Sequence, residues 1–356
     1  MIKEKLSSRE RVKLALGHQT TDRIPIAMLC GGINPKQEFG AYLAKECNTG
    51  LDEYIDSFLD AKELWFENGL LQTKSGTDIW GVGRKSVSYG AGSYDEIVHY
   101  PLKHVQTIAE INAYAWPSVK WFSYEKYRDE IDLLNKKGEK CIVLSLANLF
   151  ETSWYMRGME QLFMDMMMAS DMVHSIMKHV TDFYIEHFAR ILAACKGKID
   201  LVFTADDIGS QDGLLMPLSM WEEFIKPYHK ELNAMIHENG CKVVYHSDGA
   251  IMEAVPGLID MGIDILQAIQ LNAKGMDAKV LKDTYGDRLC FEGAMCVQKV
   301  LPFGTREEVE AETQRLINVM GRNGGYLLGP SHYIQHGTPP ENIYAFFETA
   351  KKYYPY

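Results

Sequence analysis

The chain has 356 residues, 46% of them hydrophobic, which is enough apolar material for a sizeable core in one large domain or two ordinary ones. Its net charge of -11, with no block of Lys and Arg, offers no phosphate track and argues against nucleic acid or an anionic membrane as partner. No apolar run approaches the roughly 18 residues of a membrane span, and Met1 to Lys5 lack the apolar stretch of a signal peptide, so a cytoplasmic protein is expected.

In chain order, residues 7 to 18 have the spacing of a short capped helix. Arg23 to Leu29 reads as a first strand with Pro25 near its start. Gly31 to Phe39 is a loop, residues 41 to 72 are mainly helical, and a weak strand is placed between residues 54 and 61. From Gly76 to Pro101, Trp80, Val82, Val87, Tyr89, Tyr94 and Ile97 alternate between glycines, the pattern of an antiparallel hairpin.

A regular rhythm follows. Helix 125–137 leads to the strand Cys141 to Asn148, and helices near 153–168 and 171–195 lead to the strand Leu201 to Asp207. A helix from Pro217 to Glu238 precedes the strand Lys242 to Asp248, and a helix to Met261 precedes the strand Ile265 to Gln270. Then come the helix Ala278 to Tyr285, the strand Arg288 to Met295, a Thr305-capped helix to Met320, the strand Tyr326 to Gly329, and a closing helix to Lys352. Short apolar strands alternating with helices imply a parallel sheet buried on both faces. The expected class is α/β: a (β/α)8 TIM barrel in a single domain, 1–356, with a small hairpin insertion near 76–101. A doubly wound open sheet is the alternative, but no strand is followed by G-x-G-x-x-G.

The seven cysteines (30, 47, 141, 195, 241, 290 and 296) are odd in number and contain no C-x-x-C, the inventory of a reduced protein. The methionines gathered between Met156 and Met172 read as adaptable core.

In a barrel of this kind the chemistry lies at the C-terminal strand ends. Those ends carry Asn148 and Glu151, Asp206 and Asp207, His246 and Asp248, then Gln270, Glu292 and His332. Each alone could serve as a helix cap or a rim hydrogen bond. Two histidines and several carboxylates together have the composition of a divalent-metal site, and imidazole suits zinc. His246 and Asp248, two apart, are expected on the same side of their strand. Of the adjacent Asp206 and Asp207, only one can face inward while the other caps a loop. Neither the H-x-H of an amidohydrolase on the first strand, nor a strand lysine for a Schiff base, nor a G-x-S-x-G elbow is present. A metal-assisted or acid–base reaction on a small molecule remains.

These residues resemble the uroporphyrinogen decarboxylase superfamily over nearly the whole length. The matching pieces are Arg9-Glu10-Arg11-Val12, Asp22-Arg23-Ile24-Pro25, Asp78 to Val82, Ala205 to Leu215, Phe224 to Tyr228, His246-Ser247-Asp248-Gly249, Gly324-Gly325-Tyr326, Pro330-Ser331-His332 and Thr338 to Asn342. The resemblance implies a (β/α)8 barrel. The family's decarboxylases hold porphyrinogen carboxylates with the arginines of an R-Q-A-G-R segment. Here that place reads Leu29-Cys30-Gly31-Gly32-Ile33-Asn34, so uroporphyrinogen lacks its charge partners.

The other large branch comprises zinc methyltransferases that work with corrinoid proteins. Its coenzyme M members hold zinc with H-x-C and a late cysteine; the matching positions here are His246, Asp248 and His332. Replacing thiolates by carboxylate and imidazole gives a harder Lewis acid, suited to polarising an ether oxygen. The resemblance thus implies an O-demethylase that passes methyl from a small methoxylated, aromatic or otherwise methylated compound to the cobalamin of a separate corrinoid protein. His246, Asp248 and His332 are the expected zinc ligands, and Asp207 and Glu292 the expected catalytic groups. Trp80, Asn148, Tyr245 and Gln270 are expected to contact substrate. A metal-free decarboxylase or lyase, and a corrinoid-partner protein without turnover, are the rival readings, and a homodimer is left open.

Overall fold

The computed structural model describes residues 5–29, 31–65, 76–88 and 93–353. Nine strands are assigned among them: β1 (Ala61–Trp65), β2 (Gly83–Ser88), β3 (Ser93–His99), β4 (Cys141–Asn148), β5 (Leu201–Ala205), β6 (Lys242–His246), β7 (Ile265–Gln267), β8 (Cys290–Met295) and β9 (Tyr326–Pro330). β2 and β3 pair antiparallel as a separate hairpin. The other seven form one parallel sheet in the order β1-β4-β5-β6-β7-β8-β9. Helices connect its strands, the TIM-barrel architecture that the sequence pattern implies.

Closure comes from the segment around Ile26. Ile26 bridges Leu328 of β9 in parallel. Ala27 N–H donates to Leu328 O at 3.0 Å, and on the opposite edge Asp60 N–H donates to Ile26 O at 2.9 Å. The expected first strand is thus reduced to a single bridge. Pro25, which cannot donate to a ladder, fits this shortness.

The weakly placed strand between 54 and 61 is corrected: Leu51–Asp56 is a helix and the strand is Ala61–Trp65. Asp52 and Glu53 sit in the helix's first turn, where the dipole favours acidic residues. Lys62 and Glu63 interrupt the apolar character of β1 and hide it from pattern reading. Helix Lys36–Cys47 also starts inside the segment expected as loop. The part of the expected 41–72 helix from 66 onward lies outside the described residues.

Period-two alternation sorts the sheet residues into two layers. Val143, Phe203, Ala205, Val244, Ile265 and Leu327 pack with one another inside the barrel. Their neighbours Ile142, Val202, Val243, Tyr245, Leu266 and Phe291 belong to the layer between sheet and helices. Of the clustered methionines, Met156, Met166 and Met172 are buried as expected, whereas Met167 and Met168 on helix Met159–Met168 are 81% and 83% exposed.

The closing seam is stitched by a buried ion network. Arg11 Nη1 and Arg23 Nη1 each lie 2.6 Å from the Asp60 carboxylate, and all three side chains are at most 3% exposed. The same carboxylate accepts Ile26 N–H at 2.9 Å. Removing one member of a buried charge network costs about 3–5 kcal/mol, because partners are left uncompensated. Asp60→Asn should therefore lower unfolding stability by about that amount in urea titration, with an unchanged denaturant slope. A loss below about 1 kcal/mol would show the seam to be held by packing alone.

Candidate metal centre

The site is built on one row of inward-facing residues. Strand register places Asn148 opposite Ala205, Ala205 opposite His246, and His246 opposite Gln267. Asn148 joins this row through an irregularity. The β4–β5 register shifts between Ser145 and Ala147, so Leu146 is an extra residue. Without that bulge, alternation from Cys141 would turn Asn148 outward; with it, Asn148 faces the barrel mouth.

β6 ends at His246, and Asp248 lies in the turn beyond it. Three bonds set that turn. Ile208 N–H donates to Ser247 Oγ at 3.0 Å, Asp248 N–H to Asp207 Oδ1 at 2.7 Å, and Gly249 N–H to Gln270 Oε1 at 2.9 Å. Gly249 has φ 89°. A Cβ there would lie 2.6 Å from the backbone of Gly209 and Ser210, so only glycine lets the two loops approach. The turn returns the Asp248 carboxylate to the His246 side.

His246, Asp248 and His332 then each offer a ligand atom within 4.8 Å of the others. The two imidazoles stand 5.9 Å apart between ring centroids. His246 Nδ1 meets Gln267 Oε1. The Gln267 amide nitrogen donates to Leu29 O at 2.9 Å, which fixes the oxygen toward the histidine. His246 therefore carries its proton on Nδ1 and keeps the Nε2 lone pair for the cluster. Gln267 is also hydrogen-bonded to Glu292, a carboxyl that burial pushes well above its usual range.

Asp248 Oδ1 is buried with no hydrogen-bond partner. Burial raises its carboxyl and Asp207 adds to this, against His246 and His332. The helical turns after it, Met252–Ala254 and Val255–Asp260, have no side-chain cap, so a capping role is not what holds Asp248. Burial keeps His332 below the ordinary imidazole value, hence neutral and able to ligate. Its Nδ1 accepts Tyr333 N–H at 2.8 Å, which puts the neutral ring's proton on Nε2, so a cation binding here must displace either that proton or the Tyr333 contact. Tetrahedral zinc with bonds near 2.1 Å sets its ligand atoms about 3.4 Å apart. The cluster reaches that with adjustments below about an ångström at each side chain. An orphaned carboxylate oxygen beside two imidazoles fits a divalent cation.

The neighbouring residues divide by role. Asp207 faces the cluster, its Oδ1 3.5 Å from His246 Nε2. Asp206 turns away: its fully buried carboxylate accepts the N–H groups of Leu149 (3.2 Å), Phe150 (2.8 Å) and Glu151 (2.8 Å) at the start of helix Phe150–Arg157. His229 Nε2 completes its shell at 2.5 Å. Gln270 is spent on the Gly249 turn. Tyr245 is fully buried, packs edge-on against His229 at 5.1 Å, and donates its hydroxyl to Asp206 O. Trp80, 3% exposed, packs edge-on against Phe183 at 5.0 Å in an aromatic cluster. Glu292 is enclosed in the barrel with Oε2 unpartnered. Sequence reasoning assigned nothing to Gln267; its one signal was its place as the inward residue of the strand after His246.

The profile described as Uroporphyrinogen decarboxylase (URO-D) matches residues 94–353, most of the chain, and the protein belongs to that family. Uroporphyrinogen decarboxylase of Trichodesmium erythraeum is 26% identical over 136 residues, 37% of this chain and 36% of the relative, so the match spans about a third of that protein. A methyltransferase from Methanosarcina mazei has the same fold, with TM-score 0.69 at 16% identity over 98% of this chain and 99% of its own.

Protein purified without chelator should hold about one zinc per chain. Gln267→Leu should weaken zinc affinity about 10- to 100-fold, since it frees the ring that carries the ligand, and should also lower stability, since His246 Nδ1–H and Leu29 O lose their buried partner. Asp248→Asn should lose the metal outright. Full zinc by elemental analysis in Asp248→Asn would remove Asp248 from the ligand set.

Proposed function

We propose that this protein is a zinc-dependent methyltransferase of the O-demethylase type. It takes methyl from a small methoxylated aromatic or otherwise methylated compound and gives it to a corrinoid on a separate protein. The observation that carries this reading is the thiolate-free cluster of His246, Asp248 and His332 at the mouth of a barrel of this family. The fold shared with the Methanosarcina methyltransferase supports it at the level of architecture.

Zinc held there would supply a Lewis acid to the donor's oxygen. The chain's own residues do the rest. Gln267 fixes the His246 tautomer, and Asp207 ties the turn that carries Asp248 while leaving its carboxylate 3.5 Å from His246. Asn148 lines the mouth where the bulge aims it. Glu292 anchors Gln267 from within the barrel.

An external methyl acceptor suits what several buried cysteines offer. Burial pushes the Cys195 and Cys241 thiols to about 11 and Cys290 to about 12, so none of these three is a thiolate at neutral pH. Zinc-loaded protein should therefore demethylate methyl ethers only when a reduced corrinoid protein is present, followed as methylcobalamin absorbance. Turnover by the isolated chain would overturn the acceptor assignment. Full activity after chelator treatment would favour a metal-free lyase instead.

A further inference from the structure

Charges that lie far apart in the sequence meet at the end of the barrel opposite the metal cluster, where β1 and β4 begin. An open cleft of about 770 Å³ there is lined by Lys5 near the chain start, Lys62 on β1, and Lys136, Lys137 and Lys140 on the loop between helix Glu125–Leu134 and β4. The loop is a closed turn. Asn135 Oδ1 accepts Lys140 N–H at 3.1 Å and Asn135 Nδ2 donates to Lys140 O at 3.0 Å. Gly138, at φ 68°, turns the chain between them and donates its N–H to Asn135 O at 2.8 Å. Lys136 and Lys137 are thereby carried side by side on a fixed stretch of backbone.

Charge in the cleft is not balanced. Five lysines line it, and Asp56 and Glu139 are the carboxylates among the lining residues. Asp56 is committed to Lys62. Lys140 Nζ donates to two carbonyls, Asp56 O at 2.9 Å and Leu59 O, which satisfy its protons without neutralising its charge. Burial holds this ammonium below the ordinary lysine value, and Lys62 and Arg23 add to that against Asp60 and Asp56. The ammonium groups of Lys5, Lys136 and Lys137 have no hydrogen-bond or ion-pair partner among the described residues. Such a local excess of positive charge stands out on a chain of net charge -11.

We propose that this cleft binds a small oligophosphate, free or carried by a nucleoside. Ammonium groups are compact point charges, and several of them reaching in from separate segments suit an anion whose charged oxygens are spread along a chain. The volume lies in the range of small-molecule sites, roughly 300 to 1,000 Å³. Leu6, Leu133 and Leu134 give the cleft an apolar wall, with Leu133 68% exposed. The cleft also adjoins the closing seam. Leu6 O accepts Arg11 Nη2 at 3.0 Å, Lys5 N–H donates to Asp22 at 2.8 Å, and Lys140 reaches the carbonyl of Leu59, the residue before Asp60. An anion held there ties together the chain start, β1 and the loop before β4, and so stabilises barrel closure without touching the metal cluster.

The test titrates inorganic tripolyphosphate and a nucleoside triphosphate into the full chain by calorimetry, without magnesium and at an ionic strength of about 0.15 M. Saturable binding is expected, together with a rise in melting temperature that sulfate at matched ionic strength does not give. Replacing both Lys136→Gln and Lys137→Gln should weaken binding about tenfold, since each removes an ammonium that no internal partner shares. The unliganded melting temperature should stay within about a degree of wild type, because both side chains are exposed and unpaired. Lys5→Gln, on a separate segment, should weaken binding severalfold with the turn untouched. Tighter binding of the nucleoside triphosphate than of tripolyphosphate assigns the leucine wall to a nucleoside; equal or weaker binding assigns the cleft to the inorganic chain. No saturable binding of either anion, or a melting-temperature rise that sulfate reproduces, would overturn the proposal. Binding unchanged by the lysine substitutions would also overturn it, since the anion would then sit elsewhere, as on the metal cluster.

Discussion

The barrel depends on one carboxylate. A parallel sheet of seven strands closes only if its two outer strands, β1 and β9, share an eighth element, and here that element contributes a single bridge at Ile26. So short a strand cannot hold the seam through its ladder. Asp60 does so by accepting Ile26 N–H while neutralising Arg11 and Arg23, with its own N–H returned to Ile26 O. Everything at the mouth inherits its position from that closure. Leu29, just beyond Ile26, presents its carbonyl to Gln267 and its N–H to Glu292. The seam at the first strand thereby orients the histidine of the sixth.

Orientation passes along the inward row by alternation. His246, Gln267 and Glu292 occupy consecutive strands and form a hydrogen-bonded chain across the barrel interior. Such a chain is stable only when each member is satisfied by the next. One end is anchored in backbone through Leu29; the other leaves an imidazole lone pair exposed to the cluster. The polar row also explains why the strands, though buried on both faces, end in amides and carboxylates after apolar beginnings.

The barrel class was legible because its periodicity is strong: seven strands alternating with helices and a hairpin with glycine boundaries leave few other architectures. Helix Arg306–Met320, with its Thr305–Glu308 capping box, was readable nearly to the residue. β1 was displaced in the reading because Lys62 and Glu63 break its apolar run while Tyr54 and Ile55 imitate a strand. At the site, His246, Asp248 and His332 were found from their types and positions. Strand alternation alone does not pair His246 with Asp248, because β6 ends at His246. They are gathered not by strand alternation but by a turn that needs Gly249 at positive φ and two side-chain acceptors from other loops. The Leu146 bulge, which decides where Asn148 points, leaves no mark in the residue pattern. Tyr245 and Trp80 look like pocket aromatics in sequence, and both are packed in the layer outside the barrel.

Charge inventory links these features to chemistry. The mouth gathers four carboxylates, Glu151, Asp206, Asp207 and Asp248, and neither lysine nor arginine is among the groups that most affect Glu151 or Asp248. Buried carboxylates must be paired, hydrogen-bonded or protonated. Asp206 takes the second course, with three backbone N–H groups and His229 around it. Glu151 takes the third, holding its proton to about pH 8. Asp207 remains partly in solvent, its side chain 41% exposed. Asp248 lacks such bonds at Oδ1, which is buried without a hydrogen-bond partner, and His246 and His332 oppose the rise that burial imposes on its carboxyl. Hydrogen bonding, protonation and solvent account for the other carboxylates. At Asp248 a bound cation would supply the pairing, where ligand atoms of two imidazoles lie within 4.8 Å.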